Sequence, residues 1–391
     1  MEFEFWWLLA FPLFFSLGWL AARIDIKHLV SESRSLPRSY FKGLNFLLNE
    51  QQDKAIEAFI EVVRVDPETI ELHFALGNLF RRRGETERAI RMHRNLLERG
   101  DLGQEQRLAA LFELGQDYLK AGLLDRAEEV FVKLRDTPRR GAALKALLDV
   151  YQQEKDWVKT VGVAIELNAD QGQSWGKEIA NYYCELAAIE MTHSRNAAAL
   201  ARLEEALKAN RKCARANVLL GDIHAAAGDH AAAIAAWKRI EQQNPAYLAL
   251  VAQRLLESYR ALGKHDEGLT LLRGFLASSP SLDLLDVVFQ ATLEAQGPEA
   301  AHKLVRDELR RNQTLLGLDR LLDAELLVVR PERRSDVQLV KNLVHSHTQR
   351  LARYRCENCG FKARQFYWHC PACGGWETYP PRRSEEFDMA P

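Results

Sequence analysis

Four cysteines near the C-terminal end are the residues of this sequence best suited to chemistry. Cys356 and Cys359 form one Cys-x-x-Cys pair, and Cys370 and Cys373 form a second pair after ten intervening residues. Two such pairs can place four thiolates around one Zn or Fe ion in tetrahedral geometry. The spacing therefore predicts a metal site formed by these four side chains.

The residues around the cysteine pairs agree with a metal site. Gly360 and Gly374 each follow the second cysteine of a pair and suit a turn with positive φ. Such a turn directs backbone N–H groups at the sulfur atoms and supports their charge. His369 could compete as a ligand, but four cysteines already complete a structural site, so we expect a surface histidine. Metal binding would then supply folding energy, on the order of 10–16 kcal/mol for zinc.

A disulfide pair or free buried thiols are the alternative interpretations of these cysteines. The chain has only six cysteines, and the other two, Cys184 and Cys213, lie in alanine-rich helical stretches typical of buried thiols. Thiolates that hold a metal must stay reduced, so the cysteine usage predicts a reducing compartment.

The composition limits the class of protein. The chain has 391 residues, with 53 Lys and Arg against 54 Asp and Glu, and a net charge of −1. That length suits several domains or one long array. A near-neutral balance argues against a general nucleic-acid binder, which is usually basic. There is no Walker-type phosphate loop and no His-Glu-x-x-His motif, so we expect no enzyme activity.

The N-terminal segment predicts a membrane anchor over residues 1–22. Residues 5–22 carry no charge and would span about 27 Å as a helix, close to the roughly 30 Å of a bilayer core. Trp6, Trp7 and Trp19 lie near its ends, where indoles favour the membrane interface. A cleaved signal peptide is the less favoured alternative, because it normally begins with basic residues.

The flanking charges predict the orientation of the anchor. No Lys or Arg precedes it, whereas Arg23, Lys27, Arg34, Arg38 and Lys42 follow it. The positive-inside rule therefore places the rest of the chain in the cytoplasm. This location agrees with the reducing compartment that the cysteines require.

Internal periodicity predicts a helical repeat array over residues 36–313. A small residue, an aromatic, an alanine and a second aromatic recur at intervals of about 34 residues. The clearest copies are Gly43, Ala55 and Phe59; Gly77, Phe80 and Ala89; Gly115, Tyr118, Ala127 and Phe131; and Gly221, Ala233, Trp237 and Pro245. This pattern resembles the tetratricopeptide repeat, a helix–turn–helix unit. We expect an all-α superhelix of about seven or eight units, because each hairpin buries its apolar face against the next.

The remaining segments complete the predicted organisation. Residues 23–35 form a juxtamembrane linker, 314–353 two capping helices around Arg330-Pro331, 354–380 the metal-binding module and 381–391 a tail. The array would present a long concave face, which in such solenoids usually binds protein segments. A purely structural spacer is the alternative.

Two further groups of residues could carry function. His345 and His347 flank Ser346, but on a helix their side chains point about 200° apart, so we expect solvated residues. In the metal module, Lys362, Arg364 and the aromatic run 366–368 could stack on nucleic acid. Nearby acidic residues offset the charge, and we expect the aromatics to pack around the metal and against the last helices.

An anchor, tetratricopeptide repeats and a C-terminal Cys-x-x-Cys-Gly and Cys-Pro-x-Cys-Gly module, in this order, resemble the lipopolysaccharide assembly protein B family of Gram-negative bacteria over the whole chain. The knuckles are similar to those of rubredoxin, carried over as Cys356, Cys359, Cys370 and Cys373. Their ten-residue spacing is shorter than in electron-carrying rubredoxins, which favours a structural site.

The resemblance implies a single-pass protein of the bacterial inner membrane. It implies an adaptor whose partners are a membrane-bound AAA+ protease, the lipid A pathway deacetylase and other lipopolysaccharide assembly proteins. Such an adaptor would promote proteolysis of the deacetylase and organise lipopolysaccharide assembly. The alternatives are a rubredoxin-like redox carrier and a zinc-ribbon nucleic-acid module on a scaffold.

Overall fold

A computed structural model of the chain describes residues 15, 16, 19, 38–49, 51–65, 70–171, 174–349 and 353–383. The anchor and linker predicted for residues 1–35 lie almost entirely outside these ranges, as does most of the tail. None of the helices in these ranges is long and apolar enough to cross a bilayer. The chain divides into two compact units, 1–150 and 151–391, each with its own packing.

The first unit consists of α-helices joined by short turns. Its helices are α1 (Arg38–Leu48), α2 (Gln52–Val65), α3 (Ile70–Arg82), α4 (Thr86–Glu98), α5 (Gln104–Lys120) and α6 (Leu124–Lys133), and α7 (Arg140–Glu154) contains the unit boundary. Consecutive helices pack as the hairpins α1–α2, α3–α4 and α5–α6. In α3, buried Leu72, Leu76 and Leu79 recur every three or four residues, so one face of the helix meets its neighbours.

The second unit continues the hairpin pattern. Its helices are α8 (Trp157–Gln171), α9 (Gly176–Thr192), α10 (Asn196–Ala209), α11 (Ala214–Ala226), α12 (His230–Gln243), α13 (Ala252–Ala261), α14 (His265–Ser278), α15 (Leu282–Gln296), α16 (Pro298–Arg311), α17 (Leu315–Val328) and α18 (Arg334–Thr348). Short 3₁₀ segments cover Pro245–Leu250 and Pro331–Arg333. Helices α17 and α18, joined at the short segment that begins at Pro331, lie within the stretch 314–353 for which we predicted two capping helices; their capping role stays a prediction.

Close approach of the two helices in a hairpin explains the repeated small residue. Four glycines on first helices each lie against the ring that follows sixteen residues later: Gly43 and Phe59, Gly77 and His93, Gly115 and Phe131, Gly221 and Trp237. A Cβ atom at Gly221 would collide with the indole of Trp237, which is fully buried. The indole Nε1 of Trp237 also donates to the Val218 carbonyl at 3.2 Å. The tetratricopeptide hairpin predicted from the periodicity is thus confirmed.

The first unit contains a buried ionic cluster where α3, α4 and α5 meet. His93 Nδ1 lies 2.5 Å from Asp117 Oδ2, and both side chains are fully buried. Arg81 donates to Asp117 Oδ1 at 2.8 Å and to Glu113 Oε2 at 2.6 Å. His93 takes the place of the aromatic ring in this hairpin. The cluster therefore joins one hairpin to the next through charge as well as apolar contact.

Candidate metal centre and its docking surface

A small two-stranded ribbon carries the four cysteines. Strand β1 (Tyr354–Arg355) pairs antiparallel with β2 (Lys362–Ala363), with Tyr354 opposite Ala363. The first cysteine pair lies between these strands. A bridge between His369 and Trp376 encloses the second pair, and a bridge between Tyr354 and Arg383 closes the module. The two cysteine pairs thus lie on two turns that face each other.

Each turn has the conformation expected of a metal knuckle. The N–H of Gly360 donates to the Cys356 carbonyl, and the N–H of Gly374 to the Cys370 carbonyl, both at 2.9 Å. Gly360 has φ of 75° and Gly374 of 68°, values that favour glycine over residues with a Cβ atom. The positive φ predicted for both positions is confirmed.

The four sulfur atoms have the spacing of a tetrahedral site. All lie within 4.8 Å of one another, with Cys356 and Cys373 sulfurs 3.8 Å apart and Cys359 and Cys370 sulfurs 3.7 Å apart. Zn–S bonds of about 2.3 Å in tetrahedral geometry require sulfur separations of about 3.8 Å. The cluster therefore fits one metal ion. Cys356 and Cys370 are buried, whereas Cys359 and Cys373 are exposed.

Hydrogen-bond donors stabilise thiolates at two of the four positions. Burial works to raise the pKa of the Cys356 thiol, but the Thr378 hydroxyl at 3.3 Å and the backbone amides of Cys359 and Asn358 outweigh it and lower that pKa to about 6. Asn358 Nδ2 donates to the Cys373 sulfur at 3.4 Å and lowers the pKa of that thiol. These donors favour the ionised form, which binds metal.

Cys359 is affected in the opposite direction. The backbone amide of Phe361 lowers the pKa of its thiol, but desolvation and the three neighbouring cysteine sulfurs raise it to about 12. Four thiolates at this distance would repel one another, which disfavours simultaneous ionisation of the whole set. A bound cation removes that repulsion. The four cysteine sulfurs are therefore better suited to hold a metal ion than to exist as free thiolates.

We expected a surface histidine at position 369 because four cysteines complete the site, but His369 is half-buried. Its ring packs on Trp376 with centroids 4.4 Å apart, and burial lowers the pKa of its imidazole. The potential ligand group found in the described part of the chain consists of the four cysteines. His369 is therefore a packing residue of the second knuckle.

The ribbon packs through Trp376 onto helices α8, α9 and α11 of the second unit. The Trp376 ring meets Tyr182 of α9 edge-on at 5.7 Å and Trp157 of α8 at 6.2 Å. The guanidinium of Arg215 on α11 lies 5.6 Å from the centre of the same ring. Trp376 is only 4% exposed, so this contact is a continuation of the core.

Two further aromatics of the ribbon, Phe366 and Trp368, also pack against the core of the second unit. Trp368 stacks on Tyr247 of the 3₁₀ segment with ring centres 4.9 Å apart, and Phe366 meets Tyr247 at 6.1 Å. Burial raises the pKa of the Tyr247 hydroxyl. These rings are packed, as expected, but against Tyr247 rather than the last helices. They are therefore not available to stack on nucleic acid.

Polar contacts fix the orientation of the ribbon. Asn181 Nδ2 donates to Glu377 Oε1 at 2.9 Å. Asp283 at the start of α15 accepts from the Tyr354 hydroxyl at 2.6 Å and from Arg383 Nη2 at 2.6 Å. Arg383, which we assigned to the tail, thus takes part in holding the ribbon.

The docking residues follow the repeat. Asn181, Arg215 and Asp283 are separated by 34 and 68 residues, so they occupy one position on the first helices α9, α11 and α15. Asn181 and Arg215, 34 residues apart, were a readable signal, although the next position in the series is Ala249. The sequence did not show that the C-terminal ribbon of the same chain binds these three residues.

One motif was missed in the sequence. Residues 172–176 read Gly-Gln-Ser-Trp-Gly and match the letters of a Gly-x-Ser-x-Gly nucleophile elbow. That elbow requires a strand before the serine and a helix after it. Here the exposed Ser174 lies between the helices α8 and α9, so the motif lacks its structural context.

His345 and His347 do not form a paired site. His345 Nδ1 lies 2.9 Å from Asp319 Oδ2, and both histidines are exposed on α18. This agrees with the expectation of solvated residues.

The ribbon and the helical repeats each match a known family of protein domains. Residues 354–381 match the model described as a rubredoxin metal-binding domain. Residues 42–93, 74–142 and 184–247 match the tetratricopeptide repeat model. Lipopolysaccharide assembly protein B of Escherichia coli K12 is 35% identical over 382 residues, which cover 96% of this chain and 97% of that protein.

The chain belongs to the lipopolysaccharide assembly protein B family. The protein of the same name in Haemophilus influenzae Rd is 30% identical over 392 residues, 97% of this chain and 98% of that protein. The family resemblance inferred from the repeats and cysteine pairs is confirmed. A solved tetratricopeptide protein from Cytophaga hutchinsonii is similar at 18% identity and a TM-score of 0.40, covering 61% of this chain and 95% of that chain.

Proposed function

We propose that this chain is a non-enzymatic adaptor of the bacterial inner membrane that restrains lipopolysaccharide synthesis. It presents the lipid A pathway deacetylase to a membrane-bound AAA+ protease and also scaffolds lipopolysaccharide assembly. Relatives that match nearly the whole chain carry the name lipopolysaccharide assembly protein B, and this match is the observation that carries the proposal. The protease and the deacetylase come from the family resemblance.

The anchor and its orientation are part of the same proposal. A segment over residues 1–22 holds the chain at the membrane, with the repeats and the ribbon in the cytoplasm. Tethering raises the effective concentration of the adaptor near a membrane protease. A reducing cytoplasm also keeps Cys356, Cys359, Cys370 and Cys373 able to bind their metal.

The metal has a structural role in this proposal. The four cysteines would hold one Zn or Fe ion, and that ion supplies folding energy to the ribbon. The folded ribbon then presents Trp368 and Trp376 to the first helices of the second unit. A reversible one-electron reduction of the purified metal-loaded protein would instead favour the redox-carrier alternative.

We assign client docking to the first helices of the first unit. The ribbon covers Asn181, Arg215 and Asp283 on the first helices α9, α11 and α15 of the second unit. In the first unit, Phe74 of α3 and Phe112 of α5 are half-buried, and both helices carry polar groups beside them. Partly exposed aromatics of this kind are common anchors in protein interfaces.

Photo-crosslinking in cells tests the assignment. A photoreactive residue at Phe112 should capture the deacetylase or the protease, whereas the same residue at exposed Val158 of α8 serves as a control. The half-life of the deacetylase, measured after protein synthesis is blocked, should lengthen several-fold when this protein is depleted. An unchanged half-life would contradict the proposed role in proteolysis.

A further inference from the structure

The first unit has an open groove with an apolar floor where α2, α3 and α4 meet. Its volume is about 400 Å³. Leu76 and Phe80 of α3 form the floor and are 1% and 2% exposed. Half-buried Ile60 of α2 and Met92 of α4 form the walls. The proposed function does not use this surface, because it assigns client docking to other residues.

The rim of the groove is basic. It is formed by Arg88, Arg91 and Asn95 of α4, which are all exposed. The guanidinium of Arg88 lies 4.0 Å from the centre of the Phe80 ring and donates to Glu85 Oε2 at 2.6 Å. Arg91 Nε donates to a backbone carbonyl one turn earlier at 3.4 Å. The described residues that line the groove include no acidic side chain.

The groove at the same repeat position of the second unit has a different charge. Gly84 and Gly263, with φ of 81° and 71°, lie in the turns before α4 and α14. The interval between these glycines also relates Arg88 to Glu267. The charged side chains that line the groove of α12, α13 and α14 are Lys238, Glu241, Asp266 and Glu267. The basic rim is therefore a property of the first unit and not of the repeat in general.

The chemistry of the first groove defines what can bind there. Its floor requires apolar side chains, and its rim favours carboxylates. An amphipathic helix that lays its apolar face into a groove meets both requirements. Because the Arg88 guanidinium is already stacked on Phe80, it loses little freedom when a carboxylate binds. We propose that this groove is a docking site for an acidic amphipathic segment of a partner protein.

An anionic lipid fits the groove less well. Headgroup sites of that kind usually gather four to eight Lys or Arg residues, whereas two line this rim and Glu85 is bound to one of them. The groove is also open to solvent, so an acyl chain lying in it would remain partly in water. Asn95 adds an amide that can bind the backbone or a polar side chain of a peptide.

Fluorescence anisotropy with the full-length protein in detergent tests the proposal. The probe is a labelled short helical peptide with leucines at i, i+3, i+4 and i+7 and glutamates beside them. A second peptide carries glutamine in place of every glutamate. The wild-type protein should bind the glutamate peptide saturably and several-fold more tightly than the glutamine peptide. Added salt should reduce this preference.

Two variants separate the charge of the rim from the apolar floor and walls. Arg91→Glu should weaken binding of the glutamate peptide at least fivefold and remove its advantage over the glutamine peptide. Met92→Ser should weaken both peptides by the same factor, because it acts on the apolar contact. Circular dichroism should show the wild-type helix content in both variants.

Arg94→Glu is the matched control. Arg94 lies on the same helix, its side chain is 58% exposed, and it does not line the groove. The substitution changes the net charge by the same amount as Arg91→Glu, yet it should alter affinity less than twofold. An equal loss of affinity in the two variants would show attraction to the general charge of α4 and would overturn the docking site.

Two further results would contradict the proposal. One is equal binding of the glutamate and glutamine peptides, or no saturable binding, in the wild-type protein. The other is displacement of the glutamate peptide by dihexanoyl phosphatidylglycerol below its micellar concentration, without displacement by dihexanoyl phosphatidylcholine. That result would make the groove a site for anionic lipid.

Discussion

Polar side chains on the first helices of the hairpins have two kinds of partner, another hairpin or the C-terminal ribbon. In the first unit, Arg81 of α3 reaches Glu113 and Asp117 of α5, so polar side chains join one hairpin to the next. The second unit has such joints too, for example between Arg254 of α13 and Asp222 of α11. In addition, its residues Asn181 and Asp283 bind residues of the C-terminal ribbon. The first helices of the hairpins thus carry internal joints in both units and, in the second unit, also the docking site of the ribbon.

The ionic joint and the docked ribbon stabilise the two units through different interactions. The joint in the first unit depends on Asp117, whose fully buried carboxylate is bound by Arg81 and His93. The docking site in the second unit depends on a module that we expect to fold only with its metal, because the ribbon has little core of its own. Metal loss should therefore alter the second unit and leave the first unchanged.

The largest expected effect comes from breaking the metal site. Cys359→Ser removes one of four ligands, and the metal contributes on the order of 10–16 kcal/mol to folding of such a module. We expect loss of bound metal and unfolding of the ribbon, while the helices persist. Metal content by mass spectrometry and helix content by circular dichroism measure the two effects.

Cys184→Ala is the matched control for that variant. Cys184 is fully buried between α9 and α11, with its sulfur 3.9 Å from that of Cys213, and takes no part in the cluster. Its loss should leave one metal ion per chain. Full metal content in Cys359→Ser would contradict the assigned ligands.

Removing the indole that joins the ribbon to the helices should have the next largest effect. Trp376→Ala deletes a ring in contact with Tyr182, Trp157 and Arg215. Truncation of a buried tryptophan costs about 3–5 kcal/mol. We expect the ribbon to keep its metal but to separate from the helices, which faster hydrogen exchange over residues 245–250 would show. Unchanged exchange in that segment would mean that Trp376 does not hold the ribbon.

Breaking the ionic joint should destabilise the first unit by a similar amount. Asp117→Ala leaves Arg81 and His93 without their buried partner, and removal of one member of a buried ion pair costs about 3–5 kcal/mol. The urea midpoint of the first unit should fall, while metal content stays at the wild-type value. Equal destabilisation of both units would show that the two are not separate in stability.

The smallest effect should come from an exposed ion pair. Arg260 Nη2 lies 2.7 Å from Glu294 Oε2, and both side chains are more than half exposed. Exposed pairs contribute about 0–1 kcal/mol, so Arg260→Ala should shift the urea midpoint little. A loss as large as that of Asp117→Ala would contradict the contrast between exposed and buried pairs.

Much of the architecture could be predicted from local patterns. The 34-residue periodicity gave the hairpins, because Gly221 and Trp237 must meet at a fixed spacing. The cysteine pairs predicted the metal cluster, because four ligands and two glycine turns lie close together in the chain. Both features depend on residues near one another in sequence.

The docking of the ribbon could not be predicted in the same way. Tyr354 and Asp283 are 71 residues apart, and Asn181 and Glu377 are 196 apart. No local rule connects such positions, and a tryptophan such as Trp376 suits a metal module, a core or an interface equally well. The concave face that binds protein segments stays a prediction. The sequence led us to expect the aromatics of the ribbon against the last helices, whereas they pack on Tyr247, Tyr182 and Trp157.

Side-chain footprinting with hydroxyl radicals tests the central claim most directly. Tyr182 and Tyr247 are 1% and 5% exposed, and in our account the metal-bound ribbon covers them. Both should be protected in the wild-type protein and become reactive in Cys359→Ser, while Phe131 in the first unit stays protected in both. Continued protection of Tyr182 and Tyr247 in the metal-free variant would contradict the claim.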